Sequence, residues 1–260
     1  MVEAMTALVI LLFGLAWGSF LNVVIFRVPR NMSLVRPPST CPKCGRAIRP
    51  YDNIPVLSYL ILRGKCRHCG FGIPFSYLLV EILTPAVFLT IHAHLGRTAG
   101  VTFFASCLFA SAMIALGFID YYHQILPDEI TLPGLVLALG YGLVRRDMDF
   151  RQALIGAAVG AGFLLVVYGA YFLIRRKEGL GLGDVTMMLV IGAFLGWLPT
   201  VLTLILASFA GALVGVFFIL FRKKDMQFAL PFGTFLAPAA IVALLWGEPI
   251  LRAYLGLFRK

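Results

Sequence analysis

Four of the five cysteines stand in two pairs, Cys41-Pro42-Lys43-Cys44 and Cys66-Arg67-His68-Cys69, with 21 residues between the pairs. Two residues between cysteines let both thiolates of one knuckle reach a single ion. Two such knuckles complete a tetrahedral site with no open position, which is the ligand set of a structural zinc(II) ion. So short a segment cannot bury enough apolar surface to fold alone, and metal binding would supply the missing free energy. Two disulfides are the alternative in an oxidising compartment, and a redox-active C-x-x-C would need a thioredoxin-like setting that the neighbouring sequence lacks. His68 is surplus to four thiolates. Cys107, inside an apolar run, reads as a small buried hydrophobe.

Two aspartates form the other candidate site. Asp120 ends an apolar run and is followed by Tyr121-Tyr122-His123-Gln124-Ile125-Leu126-Pro127-Asp128, while Asp184 closes Gly179-Leu180-Gly181-Leu182-Gly183-Asp184. A carboxylate beside a membrane span is costly to keep, which marks both as functional candidates. Two carboxylates at close range share one proton near neutral pH. That state suits peptide hydrolysis: one group takes a proton from the attacking water while the other protonates the carbonyl oxygen. Gly181 and Gly183 would let an extended substrate backbone approach. Helix capping or pairing with arginine are the competing readings of each aspartate. Asp128 and Glu129, after Pro127, read as carboxylates at the positive start of a helix. The glycine run is G-x-G-x-G with no preceding strand, unlike a dinucleotide fingerprint.

The elements that must hold these residues are helices in lipid. Of 260 residues, 60% are hydrophobic and 13% charged, with mean hydropathy +0.93, which excludes a soluble globular enzyme and a disordered chain. Apolar runs at about 4–26, 74–95, 99–119, 129–144, 153–174, 186–199, 201–221 and 234–257 predict an all-α polytopic bundle of about eight transmembrane helices. The runs at 129–144 and 186–199 are short for a full span. Residues 1–26 form the first helix, 27–73 a small cytoplasmic zinc-binding loop domain, and 74–260 the main helical bundle. An external amino terminus places fifteen of the 22 basic residues inside, in 27–73, 175–177 and 222–224, as the positive-inside rule requires. Both aspartates then fall at cytoplasmic helix ends. Membrane orientation explains the net charge of +10 without a nucleic-acid partner. No internal repeat of fixed period is visible.

Beyond these two sites, the segments Gly18-Ser19-Phe20-Leu21-Asn22-Val23-Val24-Ile25-Phe26-Arg27, Tyr51-Asp52-Asn53-Ile54-Pro55-Val56-Leu57-Ser58-Tyr59 and Pro231-Phe232-Gly233-Thr234-Phe235 occur in order with them. On these motifs the chain resembles, nearly end to end, the bacterial type IV prepilin peptidases, GxGD-class intramembrane aspartyl peptidases that double as N-methyltransferases. The resemblance implies a multi-pass inner-membrane enzyme with its active site at the cytoplasmic face. Such an enzyme cuts the basic leader from prepilins or type II secretion pseudopilins after a glycine. It then methylates the new amino terminus, usually Phe, with S-adenosylmethionine. Asp120 and Asp184 match the catalytic pair, and the cysteine loop resembles the bifunctional branch. No motif marks the methyl-donor site or an oligomeric state.

Two positions depart from the family pattern: Thr186 stands where a lysine often follows the second aspartate, and Tyr77-Leu78 where Tyr-Pro is common. Glu81 matches an acidic family position and reads equally as an ion-pair partner. Asp128, Glu129 and Glu178 would attract a basic leader electrostatically. The alternative from another class is a proton- or ion-coupled transporter that uses Asp120 and Asp184.

Overall fold

The structure, a computed structural model, describes residues 2–95, 100–145, 147–176, 181–222 and 231–256. Arg97, Arg146, Lys177, Glu178, Lys223, Lys224, Arg259 and Lys260, all part of the charge reading, lie outside them. The described residues are mostly helical: α1 Val2–Arg27, α2 Leu57–Ile61, α3 Phe75–Leu95, α4 Gly100–His123, α5 Asp128–Val144, α6 Phe150–Arg175, α7 Leu182–Leu195, α8 Trp197–Arg222 and α9 Gly233–Gly256. Every predicted apolar run corresponds to one helix, and α2 is a single short turn inside the 27–73 segment. Among the described residues the only extended pairings are the isolated bridges Thr40–Ala47 and Lys65–Gly72.

Six helices are long and apolar enough to cross a membrane, fewer than the eight expected. The shortfall lies in α5 and α7, with 17 and 14 residues. At 1.5 Å per residue α7 reaches only about 21 Å, short of a hydrocarbon core of about 30 Å. It also starts and ends about four residues before the predicted run. Gly181 serves as its N-cap, and Gly196, at φ 78°, stops it before α8 begins at Trp197. The chain is a multi-pass membrane protein by the composition of its helices.

The chain divides into two compact units, Met1–Phe103 and Phe104–Lys260. In the first, α1 packs along α3. The approach is close because Gly14 and Gly18 carry no side chain: a Cβ on Gly14 would lie 2.6 Å from Pro85 Cα, and one on Gly18 would lie 3.0 Å from Glu81 Cα. This is a G-x-x-x-G contact, which lets helices meet in lipid where water supplies no hydrophobic drive.

In the second unit α7 is the central helix, packed against α5, α6, α8 and α9. Val185, Met187, Met188, Val190, Ile191, Ala193 and Phe194 are all buried. A second G-x-x-x-G, Gly156 to Gly160 on α6, lets α6 touch α7: a Cβ on Gly156 would sit 2.2 Å from the Gly192 carbonyl oxygen. At the far end of α7, Arg145 donates to the Phe194 carbonyl at 2.7 Å and offsets the negative end of the helix. Protein rather than lipid therefore surrounds α7, which is how a helix too short to span can carry a carboxylate in its first turn.

Candidate functional site

Asp120 lies in the last turn of α4 and Asp184 in the first turn of α7, and both are buried. The fold brings them together across 64 residues of sequence, close enough for the Asp184 carboxylate to feel the charge of Asp120. A third segment joins them. At the start of α9, the Thr234 backbone N–H donates to Asp120 Oδ2 at 2.6 Å and the Thr234 hydroxyl donates to the same oxygen at 3.1 Å. The Gly233 N–H faces the Asp184 carboxylate. A Cβ on Gly233 would stand 2.9 Å from Asp120 Oδ2, so only glycine fits between the two acids. The sequence marked this segment through Pro231-Phe232-Gly233-Thr234-Phe235 without revealing its role.

The competing readings of the aspartates divide. Neither pairs with an arginine among the described residues. Asp184 does act partly as a cap: it is the third residue of α7, and its carboxylate reaches back to the N–H of Gly181, the N-cap, as the acidic member of a capping box does. The two marked glycines differ. Gly181 is exposed, whereas a Cβ on Gly183 would meet Leu126 Cβ at 2.9 Å. Leu126 thus closes one side of the site, since its side chain also approaches Gly233. Thr186, the first departure from the family pattern, donates its hydroxyl to the Gly183 carbonyl at 2.9 Å and holds the same turn without a charge. Asp128 and Glu129 occupy the first two positions of α5 and are exposed. Their N-cap is Pro127, so they meet the helix dipole without capping through a side chain. Glu178 lies outside the described residues.

The two cysteine knuckles share one local fold. In the first, Cys41 N–H donates to the Arg46 carbonyl at 2.9 Å and Gly45 N–H to the Cys41 carbonyl at 2.9 Å. In the second, Cys66 N–H donates to Phe71 at 2.8 Å and Gly70 N–H to Cys66 at 2.9 Å. Gly45 and Gly70 each sit at φ 68°, the left-handed turn that brings the second cysteine round to the first. The sequence thus contains a repeat that was not expected, Cys-x-x-Cys-Gly, visible once the glycine is counted with the cysteines.

All four sulfurs lie within 4.8 Å of one another, and the cysteines are free thiols. Cys41 and Cys69 stand 3.7 Å apart, far beyond a disulfide. A tetrahedral ion with metal–sulfur bonds of about 2.3 Å would space its ligands by about 3.8 Å, so the set fits zinc(II). The Cys44 N–H leads the contacts that lower the Cys41 thiol to about 6. Although the Phe71 N–H pulls the other way, desolvation and the neighbouring thiols push Cys69 up to about 11. Crowded thiols cannot all ionise alone, and a bound dication would supply the compensating charge. Outside the cluster, Arg67 hydrogen bonds hold the Asp52 carboxyl below its ordinary range. His68 is not among the grouped ligands and meets Arg46 instead. Cys107 is buried in α4, as its apolar surroundings predicted.

In the N-terminal unit Glu81 is buried on α3, and of its two readings the ion pair is not seen among the described residues. Its Oε2 accepts the Val56 N–H at 2.7 Å, and the Ser19 hydroxyl is its other partner. Leu78, the second departure from the family pattern, is buried beside Tyr77, whose carbonyl accepts the Asn22 amide at 3.0 Å.

Known proteins are similar in sequence to most of the chain. Residues 12–95 match the bacterial peptidase A24 N-terminal domain, and residues 107–216 match the type IV leader peptidase family. A protein of Pseudomonas aeruginosa named prepilin leader peptidase/N-methyltransferase is 38% identical over 94% of this chain and 92% of its own. The chain belongs to the type IV leader peptidase family. Two further family members carry the same name: one of Aeromonas salmonicida, 37% identical over 95% of this chain and 93% of its own, and one of Myxococcus xanthus, 43% identical over 82% and 63%. No solved structure matches the chain. The two matched segments separate the sites, since the four paired cysteines fall in the N-terminal match and both aspartates in the peptidase match.

Proposed function

We propose that this protein cleaves the basic leader from type IV prepilins or type II secretion pseudopilins after a glycine, at the cytoplasmic face of the bacterial inner membrane. It then N-methylates the exposed residue, usually Phe, with S-adenosylmethionine. The names of the full-length relatives support both activities. The observation that carries the peptidase mechanism is the buried pair Asp120 and Asp184, wedged by Gly233 and oriented by Thr234. In the hydrolytic step one aspartate removes a proton from water as it attacks the scissile carbonyl. The other donates its proton to the carbonyl oxygen, and the roles reverse as the leaving amine is protonated. Thr234 fixes the orientation of Asp120 through two donors on one oxygen, and Leu126 excludes solvent from the Gly183 and Gly233 side of the pair. The methyl donor, when bound, supplies an electrophilic methyl group to the new amine. Cys41, Cys44, Cys66 and Cys69 hold a structural zinc(II). Asp128 and Glu129, exposed after Leu126, offer negative charge to the basic leader.

A proton- or ion-coupled transporter is not supported. The relatives are named as peptidases, and both aspartates sit in terminal turns of their helices.

The test is cleavage of a purified prepilin in detergent by wild type, Asp120→Asn and Asp184→Asn, with and without S-adenosylmethionine, read by mass spectrometry. Each folded variant should lose about 10³-fold or more in cleavage rate, within the range of acid–base catalysis. Retained cleavage in either would sink the two-aspartate mechanism, and unmethylated product from wild type would confine the protein to proteolysis.

A further inference from the structure

Between the two cysteine knuckles, α2 is amphipathic in the sense opposite to that of a loop folded in water. Leu57, Leu60 and Ile61, which share one face of the turn, are 51%, 59% and 65% exposed, and Ile54 just before them is exposed as well. Ser58, Tyr59 and Leu62 are half-buried and line a cavity inside the unit. In water the aliphatic side chains would turn inward and the hydroxyls outward. So many neighbouring aliphatic side chains on one surface mark a contact with something apolar.

The depth of the turn along α3 identifies that contact. α3 has 21 residues, about 31 Å at 1.5 Å per residue, so it crosses a hydrocarbon core of about 30 Å only if Phe75 stands at the edge. Glu81 follows Phe75 by six residues, which puts it about 9 Å past that edge. Val56, the N-cap of α2, donates its N–H to Glu81 Oε2 at 2.7 Å. Side chains lean toward the start of their helix, but a glutamate reaches back by no more than about one turn, which leaves Val56 inside the edge. The far end of the segment lies at the edge itself. The Tyr59 hydroxyl donates to the Ile73 carbonyl at 3.3 Å, and the Ile73 N–H donates to the Gly64 carbonyl at 2.7 Å, just before α3 begins. The chain therefore dips past the boundary at Val56 and returns to it by Gly64.

Its backbone is equipped for such a place. Lipid offers no partner to a bare amide, so a segment that enters it must satisfy its own donors. Val56, at φ 61°, turns the chain so that the Leu57 N–H reaches the Pro55 carbonyl at 2.6 Å. The N–H groups of Ser58, Leu60 and Leu62 then bond to the carbonyls of Ile54, Val56 and Ser58 at 3.0, 3.1 and 2.9 Å, and the Ser58 hydroxyl returns to Ile54 at 2.6 Å. Arg63 and Lys65, both exposed, follow where the chain comes back to the boundary, the level at which basic side chains meet lipid phosphates.

We propose that residues 54–61 form an interfacial membrane anchor, with Leu57, Leu60 and Ile61 inserted among the acyl chains of the leaflet on the side of the cysteine knuckles. The occupant of this face is lipid, at the shallow depth typical of elements that lie in a membrane surface. The inference depends on α3 as a span and not on the catalytic reading. It revises the expectation that the whole of 27–73 is an aqueous loop: the knuckles are tied to the membrane by α1, by α3 and by the dip between them.

The experiment uses full-length wild type in liposomes of phosphatidylethanolamine and phosphatidylglycerol. A trace of phospholipid with a diazirine in its acyl chain is photolysed, and the labelled peptides are mapped by mass spectrometry. Label should appear on 54–61 and on α3 at its exposed residues Leu79 and Ile82, and should be absent from the first knuckle at 41–48. Depth is read separately with a spin-labelled p-acetylphenylalanine placed at Leu57, Leu60 or Ile61 in turn. Oxygen should relax these labels more than a water-soluble nickel chelate does, as at Leu79, and the order should reverse at Ile48 in the first knuckle. No lipid label on 54–61 while α3 is labelled, or stronger relaxation by nickel at all three positions, would place the segment in water and overturn the anchor. Positions closed to both reagents would mean that protein covers them, which overturns lipid as the occupant. The cover would be a second copy if dilution with lipid opens them, and the rest of the chain if it does not. Where a substituted variant does not fold, the wild-type photolabel alone decides.

Discussion

The cysteine knuckles and the aspartate pair solve one problem, the gathering of like-charged groups, in opposite ways. Each knuckle is assembled by its own six or so residues, through backbone hydrogen bonds and one left-handed glycine, and a metal ion would neutralise the thiolates. The aspartates come from helices far apart in sequence and are held by a third, since Thr234 lies 114 residues from Asp120. No cation among the described residues balances them. Backbone and hydroxyl donors hold them in place without neutralising them, and the uncompensated charge is available for chemistry. A closed site with its counter-charge bound is inert, whereas one supported by dipoles can exchange protons.

The largest expected effect tests the closed site. Cys44→Ser with Cys69→Ser should abolish stoichiometric zinc, measured by elemental mass spectrometry. It should also leave residues 31–73 open to limited proteolysis, because structural zinc contributes on the order of 10 kcal/mol to domains of this size. Proteolysis identical to wild type would mean that the knuckle hydrogen bonds hold the segment without metal, and the contrast between the sites would fail.

Next comes the wedge between the aspartates. Gly233→Ala places a methyl group 2.9 Å from Asp120 Oδ2, which must displace the carboxylate or the start of α9. A misplacement of this size should lower the cleavage rate about 10²-fold, with helicity by circular dichroism unchanged. Cleavage within twofold of wild type would show that Asp120 has slack, contrary to the close fit described. A smaller loss follows at the next residue. Thr234→Val keeps the 2.6 Å backbone donor and removes the 3.1 Å hydroxyl, so kcat should fall about tenfold with KM nearly constant, as for one hydrogen bond to a charged group. A rise in KM alone would place Thr234 against substrate rather than against Asp120.

The same contrast explains what could be read without coordinates. The cysteine site was legible because its geometry is local: C-x-x-C spacing states the ligand set, and only the repeated glycine after each pair was passed over. The helices were legible because hydropathy reports burial in lipid, so each apolar run became a helix. Hydropathy cannot separate lipid from protein as the surroundings, and α5 and α7 were therefore counted as spans although α7 is wrapped by neighbouring helices. Asp120 and Asp184 were visible as costly charges in apolar company. Their shared support at Gly233 and Thr234 was not, because no periodicity links the start of α9 to the end of α4. The G-x-x-x-G contacts of α1 and α6 were present as motifs, yet which helix each would meet is a tertiary fact. Glu81 was noticed as an acid, but its buried, unpaired state depends on how α1 and the Val56 turn close over α3.

The smallest effect sharpens the comparison by making the same substitution in the other site. Gly45 stands at φ 68°, but a Cβ there would meet nothing within 4 Å, so Gly45→Ala carries a backbone cost and no collision. A left-handed non-glycine residue costs about 1 kcal/mol, which corresponds to about a fivefold loss of zinc affinity in a competition titration with a chromophoric chelator. Gly70→Ala, at the matching position, should lose a similar amount, and Gly45→Asn should lose less because asparagine tolerates this conformation. If Gly45→Ala instead releases the metal as fully as loss of two cysteines does, the turn and not the thiolate set governs the site. The knuckle would then depend on exact backbone placement as the aspartate pair does at Gly233, and the distinction between a locally built site and a long-range one would be lost.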